Sequence, residues 1–500
     1  MEYVIVLPIL ISVLIGVLLL ISSFVSHTRE KSKAFISDNF KYTGVVSLIT
    51  LFVCVAITLY VAWFGPDDIV LFSLVDDIPI HFHIDDLGRL FVTVTSIVWL
   101  MVCVYAIKYM KHEGEERRFY GCYLIVYGVL VALDFAGNLI TFYLLYELMT
   151  ITSVVMVLHK GTKEAIMAGL KYLFYSMAGA YCALFGMFVV YQHCHHLNFT
   201  AGANLNEVLA SENREIMLVA VFFMLLGFGT KGGMLPFHAW LPTAHPVAPS
   251  PASAVLSAII VKSGVLGVIR TVYYVVGPDF IRGSWVQYAW IGFALTTIFM
   301  GSMLAYREKV FKKRLAYSTV SQVSYIFFGL ALLDPVAMTG SLVHVVGHAL
   351  IKCSLFLSAG LFAFKTGKTH VDDFIGIGKT MKVTLMSYTL GALGLIGIPP
   401  TVGFISKWYF ASGALKADLN VVSILGIVVL LISALLTAGY LLPITIRGFF
   451  PGEEACFDEQ EEKLDSMSSV IFIMAILALL IGILPNPIID FAREIVATLF

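Results

Sequence analysis

Seven ionisable side chains lie inside segments of this sequence that otherwise read as apolar membrane helices. They are one acid and six bases: Glu147, Lys231, Lys262, His344, His348, Lys352 and Lys407. A charged side chain at the centre of a bilayer costs about 2.5–3.5 kcal/mol even on insertion scales, so such residues usually face a cavity and are functional. The sequence therefore predicts a path for protons or other cations through the membrane.

The residue types suit proton transfer. Burial disfavours the charged form of a lysine, and a nearby carboxylate restores it, so Glu147 and Lys231 have the chemistry of a switch. Histidine titrates near neutral pH and can relay protons between lysines. His344, His348 and Lys352 are spaced by four residues, which places them on one helix face. Alternatively, His344 could be only a packing contact between helices.

Structural interpretations stay open for the other residues. Glu147 could pair with a neighbouring helix, while Lys231 and Lys407 could bond carbonyl groups freed by helix breaks. Lys262 and Lys352 could extend to a membrane surface. Two further histidines, in the polar segment after Lys231, either feed protons or cap a re-entrant turn: His238 and His245.

Composition places the chain in the membrane. It has 500 residues, of which 59% are hydrophobic and 13% charged, whereas soluble domains have about 25% charged residues. We predict an all-α polytopic protein that contacts the lipid bilayer, and a soluble enzyme is excluded. The net charge of -1 gives no sign of nucleic-acid binding.

A membrane span needs about 20 apolar residues. About 14 segments meet this requirement, near 3–25, 41–64, 88–110, 119–135, 138–158, 165–192, 214–231, 250–276, 284–305, 315–333, 337–365, 382–413, 421–446 and 467–485.

Two of these spans, the seventh and the twelfth, are interrupted. Pro236 follows Lys231 closely, and Pro399 and Pro400 precede Lys407. Proline removes a backbone donor and clashes with the preceding turn. A lysine beside each break, with the breaks five spans apart, is typical of a duplicated unit with broken helices near the membrane midplane.

Loop charge predicts the orientation. Basic residues gather in alternate loops, which we place inside: Arg29, Lys31, Lys33, Lys108, Lys111, Arg117, Arg118, Lys160, Lys163, Arg307, Lys309, Lys312, Lys313, Arg314, Lys365, Lys368, Lys379 and Lys382. The loop near 452–465 is acidic, but acidic residues weigh little in the positive-inside rule. We therefore expect a multi-pass protein of the cell membrane with both termini on the outer face.

Four sequence blocks resemble one family. They are LPFHAWLPTAHPVAPSPASAVLSAIIVKSGVLGVIR at 235–270, FKKRLAYSTVSQVSYI at 311–326, HALIKCSLFLSAG at 348–360 and IGIPPTVGFISKWY at 396–409. They are similar to the antiporter-like membrane subunits of respiratory complex I, of membrane-bound hydrogenases and of Mrp-type cation/proton antiporters. The resemblance covers roughly residues 80 to 450 and implies 14 helices with two inverted five-helix repeats. The implied divisions are 1–118, then the repeats 119–276 and 284–446, then 467–500.

The resemblance also implies roles for the membrane residues. Glu147 and Lys231 match the ion pair that gates the first half-channel. Lys262 matches a connecting residue that is Lys or His across the family, and Lys407 matches a residue that is Lys in some members and Glu in others. The eleventh span supplies the remaining relay residues: His344, His348 and Lys352.

We expect no cofactor and no redox chemistry in this chain, because it has no nucleotide-binding glycine motif, cysteine cluster framework or haem motif. The HCHH run at 193–196 has metal-binding residue types, but no second ligand group has matching spacing, so we expect no metal site. Three functions stay open: an ion-translocating subunit of a redox-driven complex, a subunit of a multisubunit Na⁺(K⁺)/H⁺ antiporter, and a stand-alone secondary transporter. The first two imply other membrane subunits as partners and protons or Na⁺ as cargo.

Overall fold

Long helices occupy the predicted spans. The computed structural model describes residues 2–28, 42–75, 78–202, 204–417, 419–452, 462 and 464–500. The basic residues at 29–33 and most of the acidic loop at 452–465 lie outside the described residues. Within the described part, ten helices are long and apolar enough to cross a membrane. The prediction of an all-α polytopic membrane protein is confirmed.

The chain forms two compact units, and the first comprises residues 1–174 and 247–252. After a 3₁₀ turn at Glu2–Val6, its helices are α1 (Leu7–Thr28), α2 (Thr43–Phe64), α3 (Asp86–Glu113), α4 (Glu116–Asp134), α5 (Leu139–Val157) and the first part of α6 (Lys163–His193). Glycines bring α1 and α4 close together, since a Cβ on Gly16 would lie 2.6 Å from the Gly121 carbonyl oxygen. Such small-residue contacts are common between membrane helices.

A β-hairpin between α2 and α3 was not predicted. Strand β1 (Asp68–Val75) pairs antiparallel with β2 (Ile78–His83). In the sequence this segment stands out only as an acidic loop. Its isoleucines, valines and phenylalanines have strand propensity, but eight and six residues are too few to stand out beside membrane spans.

Both hairpin histidines face one carboxylate. Asp68 Oδ1 lies 2.7 Å from His81 Nε2 and 3.0 Å from His83 Nδ1. Burial on its own raises the pKa of Asp68, but the hydrogen bonds and charge of His81, followed by those of His83, lower it below its ordinary 3.8. A carboxyl group whose pKa is lowered by folding stabilises the fold above its unfolded-state pKa, and this contribution is lost as the pH falls through the folded-state pKa.

We therefore expect the hairpin to lose hydrogen-exchange protection progressively as the pH falls below about 5 and through the lowered pKa of Asp68. Asp68→Asn should lower the protection at the higher pH and reduce its change with pH. Asp67→Asn, one residue earlier, is the matched control and should behave like the parent protein. An equal acid response in all three proteins would assign the loss to other carboxyl groups.

The second unit comprises residues 175–246 and 253–500. It holds the rest of α6, α7 (Arg214–Lys231), most of α8 (Ser250–Val276), α9 (Trp285–Arg307), α10 (Phe311–Ala331), α11 (Pro335–Thr366), α12a (Lys382–Ile396), α12b (Val402–Lys416), α13 (Val421–Phe449), α14 (Ser466–Ile483) and α15 (Asn486–Ala497). Shorter helical segments are Glu207–Glu212, Phe237–Trp240, Leu241–Val247, Pro278–Ile281, Val371–Phe374 and Ile377–Lys379. This division into units does not test the predicted repeat boundaries.

Among the ten candidate spans of the described part, α8 and α11 are the most buried, since the apolar stretch of each is entirely buried. Two stretches of α8 are π-helical, Leu256–Ile260 and Arg270–Val276. They flank the segment Val261–Ile269, which carries Lys262. π-Helical segments are rare in proteins, and those that occur are often found at functional sites.

Both predicted helix breaks are present. Helix α7 ends at Lys231, and the chain folds back so that Trp240 Nε1 donates to the carbonyl of Thr230 over 2.9 Å. The twelfth span divides at residues 397–401, between α12a and α12b. Gly397 has a φ of 90°, and a Cβ there would lie 2.9 Å from Cδ of Lys407. The second break thus places a glycine directly against the lysine that the sequence singled out.

Candidate ion-relay site

The candidate site in the second unit is built around a direct contact between two bases. Lys262 of α8 and His348 of α11 lie with Nζ and Nδ1 2.6 Å apart, and the Lys262 ammonium group also donates to the Ser257 carbonyl over 2.9 Å. Both side chains are buried, at 3% and 1% exposure. At this separation one nitrogen must donate and the other accept, so the pair shares a proton between two helices.

His344 extends the site along α11 by one turn. Its ring centroid lies 5.7 Å from that of His348, and its Nδ1 is 2.8 Å from Ser406 Oγ on α12b. It also stacks on Tyr325 of α10 at 6.0 Å. The Nε2 atoms of both histidines have no hydrogen-bond partner among the described residues. Buried polar atoms normally have a partner, so these atoms mark places suited to water.

Lys407 lies at the second helix break and is partly buried. Its ammonium group donates to the carbonyls of Leu395 and Ile396, each over 2.7 Å, and sits 5.1 Å from the Tyr325 ring centroid. These carbonyls belong to the last turn of α12a, where helical partners are missing. Lys407 therefore does bond carbonyl groups freed by the helix break, as its structural interpretation expects. The same contact places its ammonium group beside Tyr325 and His344.

Lys231 lies at the first helix break and is fully buried. Its ammonium group donates to Ser176 Oγ over 3.2 Å. Gly264 of α8 packs against it, because a Cβ there would lie 3.0 Å from the Lys231 Cβ and would also collide with the Phe228 carbonyl. The close approach of α7 and α8 depends on this glycine.

The remaining predicted residues are placed differently. Lys352 is fully buried and donates to the Leu315 carbonyl of α10 over 3.0 Å. Its hydrogen bond is therefore to α10 and not to His348. Glu147 lies on α5 in the first unit, and its pairing with Lys231 stays a prediction. His245 is fully buried with its ring stacked on Phe356 at 4.7 Å, and neither ring nitrogen has a hydrogen-bond partner in the described part of the chain.

The HCHH run forms other contacts. His193 Nδ1 lies 2.8 Å from the Val189 carbonyl oxygen, and Cys194 forms a β-bridge with Leu205. Among the residues that the structure describes, no group of three or more His, Cys, Asp or Glu side chains is arranged to hold a metal ion.

The uncharged partners of the bases were not predicted from the sequence. Ser176, Ser406 and Tyr325 contact the predicted bases, and none of them was singled out. A serine in an apolar helix has no distinctive signal, because it is common wherever membrane helices pack closely. The STVSQVSY run at 318–325 does carry a usable signal, since a high density of polar residues inside a span is unusual.

Residues 136–436 match the family described as "NADH:quinone oxidoreductase/Mrp antiporter, TM". The chain belongs to this family. Residues 73–120 also match the family described as "NADH-Ubiquinone oxidoreductase (complex I), chain 5 N-terminus". The resemblance that the four sequence blocks indicated is confirmed.

Relatives of this chain have different names. It is 32% identical to the NADH-quinone oxidoreductase subunit N of Desulforudis audaxviator, covering 75% of this chain and 73% of that protein. It is 26% identical to a Na(+)/H(+) antiporter subunit of Alkalihalophilus pseudofirmus over 99% and 97% of the two chains. Its fold is similar to a chain of the archaeal membrane-bound sulfane sulfur reductase, with a TM-score of 0.83, 21% identity, and coverage of 100% of this chain and 97% of that one.

Proposed function

We propose that this chain is the proton- or Na⁺-translocating membrane subunit of a redox-driven complex related to complex I or to a membrane-bound hydrogenase. The observation that carries this proposal is the contact between Lys262 and His348, continued by His344 towards Lys407. Six predicted bases lie buried or partly buried in this unit of a membrane protein, at a cost that a purely structural role does not require.

The geometry supports transfer in short steps. The proton shared by Lys262 and His348 changes partner without movement of a helix, because the two nitrogens are already in hydrogen-bond contact. His344 lies one helical turn further on, and its free Nε2 and that of His348 are the atoms that water would join. Lys407 receives the charge at the far end, and Lys231 stands at the other helix break.

We extend the proposal to the architecture and orientation. The chain would have 14 spans, with inverted repeats at 119–276 and 284–446, and both termini on the outer face of the cell membrane. The positions of the helices and the similar placement of Lys231 and Lys407 beside two breaks support this arrangement. Glu147 would gate the first repeat through Lys231, and Lys352 would branch from the central pair.

A second candidate function is membership of an Mrp-type Na⁺(K⁺)/H⁺ antiporter. The similarity to a Na(+)/H(+) antiporter subunit over 99% of this chain favours it.

Purification of the native complex distinguishes the two functions. Iron–sulfur or other redox subunits that copurify with this chain would support the redox-driven complex, and small hydrophobic partners without redox centres would support the antiporter. A chain that purifies alone and transports ions in liposomes would instead favour a stand-alone transporter.

Substitution of Lys407 tests the relay itself. We expect Lys407→Ala to abolish ion transport by the assembled complex, and Lys407→Glu to retain more activity, because the site needs a titratable group more than a particular sign. Initial rates of ion uptake into proteoliposomes, normalised to assembled complex, measure this. Lys416→Ala removes an exposed lysine of the same helix and is the matched control. Equal rates for the Ala and Glu variants would contradict the need for a titratable group.

A further inference from the structure

A cluster of hydroxyl groups joins three helices beside the relay, and none of them is ionisable near neutral pH. Ser302 Oγ of α9 lies 2.6 Å from Ser433 Oγ of α13 and 2.8 Å from Ser321 Oγ of α10. Ser321 and Ser433 are themselves 3.3 Å apart. All three side chains are fully buried. The oxygen separations are those of direct hydrogen bonds, which leave no room for a metal ion between them.

The cluster continues towards Lys309, in the loop before α10, and Lys312 and Lys313, in the first turn of α10. We call their side of the membrane the basic face. Thr437 lies one turn along α13 and donates to the Ser433 carbonyl over 2.7 Å. The Tyr440 hydroxyl lies 3.3 Å from Thr437 Oγ1 and 2.8 Å from Ser318 Oγ. The hydroxyl groups therefore follow one another along α10 and α13.

A largely buried arginine lies at the end of the cluster near the basic face. Arg314 Nη1 donates to the Tyr440 carbonyl over 2.9 Å, and its Nε donates to the Glu308 carbonyl over 2.7 Å. Arg314 lies in the first turn of α10 and is 8% exposed. Ser318 is one turn deeper, so the hydroxyl groups begin close to this surface.

The deep end reaches the relay at Tyr325. The Tyr325 hydroxyl lies beside Ser433 and donates to the Leu430 carbonyl over 3.1 Å, while the face of its ring lies 5.1 Å from Lys407 Nζ. From Arg314 to Tyr325 the rise along α10 is about 16 Å. This is roughly half of the ~30 Å hydrocarbon thickness, as expected for a link between a membrane face and the midplane.

A buried amide lies at the same level of α10. Gln322 is fully buried, and neither its Oε1 nor its Nε2 has a hydrogen-bond partner among the described residues. Each unsatisfied buried polar atom costs about 1–3 kcal/mol. The midpoint of α10, about one turn from Tyr325, is therefore a place where water would be bound.

We propose that Tyr440, Ser318, Thr437, Ser433, Ser302 and Ser321, ending at Tyr325, form a hydroxyl chain that conducts protons between the basic face and Lys407. This inference rests on the proposed ion-translocating function and adds a route of access to it. Each hydroxyl group can both donate and accept, so a proton enters at one oxygen while another leaves the next. The two longer steps, at Thr437 and at Tyr325, need a bridging water.

The test is proton uptake by the whole native complex in Na⁺-free proteoliposomes. We expect the double variant Ser302→Ala/Ser433→Ala to lower the initial rate about tenfold, which corresponds to about 1.4 kcal/mol in the barrier. Ser324→Ala is the matched control and should retain the rate within about twofold, because Ser324 is a buried serine of α10 whose one hydrogen bond to a described residue is to the Val320 carbonyl of its own helix. Equal rates in the double variant and in the control would overturn the proposal.

A second variant separates conduction from packing. Tyr440→Phe retains the ring and removes the hydroxyl group. We expect it to lower the rate severalfold and to increase the ratio of the rates in H₂O and D₂O, whereas a packing defect would lower the rate with an unchanged ratio and would overturn the proposal. Lys407→Ala in the same assay identifies the source of a failure. Loss of uptake with Lys407→Ala but not with Ser302→Ala/Ser433→Ala would reject the hydroxyl chain alone, and retained uptake with Lys407→Ala would reject the proposed function.

Discussion

Replacement of Lys262 by methionine should abolish ion transport while the protein still assembles. Methionine has a similar length and fills the same space between α8 and α11, but it cannot share a proton with His348. Burial of a charge is costly in itself, so loss of the charge offsets part of the cost of leaving His348 Nδ1 and the Ser257 carbonyl without this partner. We expect the initial rate of uptake in proteoliposomes to fall at least tenfold, with an unchanged amount of assembled complex.

Two comparisons make this result specific. Lys262→His replaces the lysine by another titratable group and should retain more activity than the methionine variant. Lys309→Met removes an exposed lysine from the loop between α9 and α10 and should leave transport within about twofold. Substantial uptake by Lys262→Met would show that protons bypass the central pair, and it would remove the main support for the relay.

The second large effect is expected at Gly403, in the first turn of α12b. A Cβ on this residue would collide with the carbonyl oxygen of Gly394 in α12a. The two halves of the broken helix touch through their backbones here, and Lys407 lies one turn further along α12b. Gly403→Ala should therefore separate the two halves, withdraw Lys407 from the Leu395 and Ile396 carbonyls, and abolish transport.

Overpacking of a tight contact usually costs about 1–3 kcal/mol and occasionally more. A lower thermal midpoint of the purified complex and a loss of uptake are the two measurements. Gly292→Ala in α9 is the matched control, because a Cβ there meets no atom within 4 Å. A Gly403→Ala protein with normal stability and transport would show that the contact between α12a and α12b is not needed.

The helix breaks and the basic residues were predictable, because proline and charge are local signals. Pro236 and the pair Pro399 and Pro400 stand out against any apolar segment, and so does a lysine. The pairing of Lys262 with His348 was not predictable from spacing, since the two residues are 86 positions apart. Only the packing of α8 against α11 brings these two side chains together.

Other features had weaker signals or none. The π segments of α8 have no sequence signature, because they depend on how neighbouring helices accommodate an additional residue. The hairpin at Asp68–His83 was overlooked because its strands are short and lie among aspartates. Ser302, Ser321 and Ser433 look like ordinary small residues in sequence, and their cluster exists only in three dimensions.

The interior of the second unit also limits how many charges it can hold. Among the residues described there, no buried aspartate or glutamate lies beside four of its bases: Lys262, His344, His348 and Lys352. Two unit charges about 5 Å apart repel by roughly 3 kcal/mol at an effective dielectric constant of 20. A second proton would then bind more than about a hundredfold more weakly than the first. In the proposed relay, proton occupancy would therefore be anticooperative: protons would pass in single file, and the departure of one would set the pace for the arrival of the next.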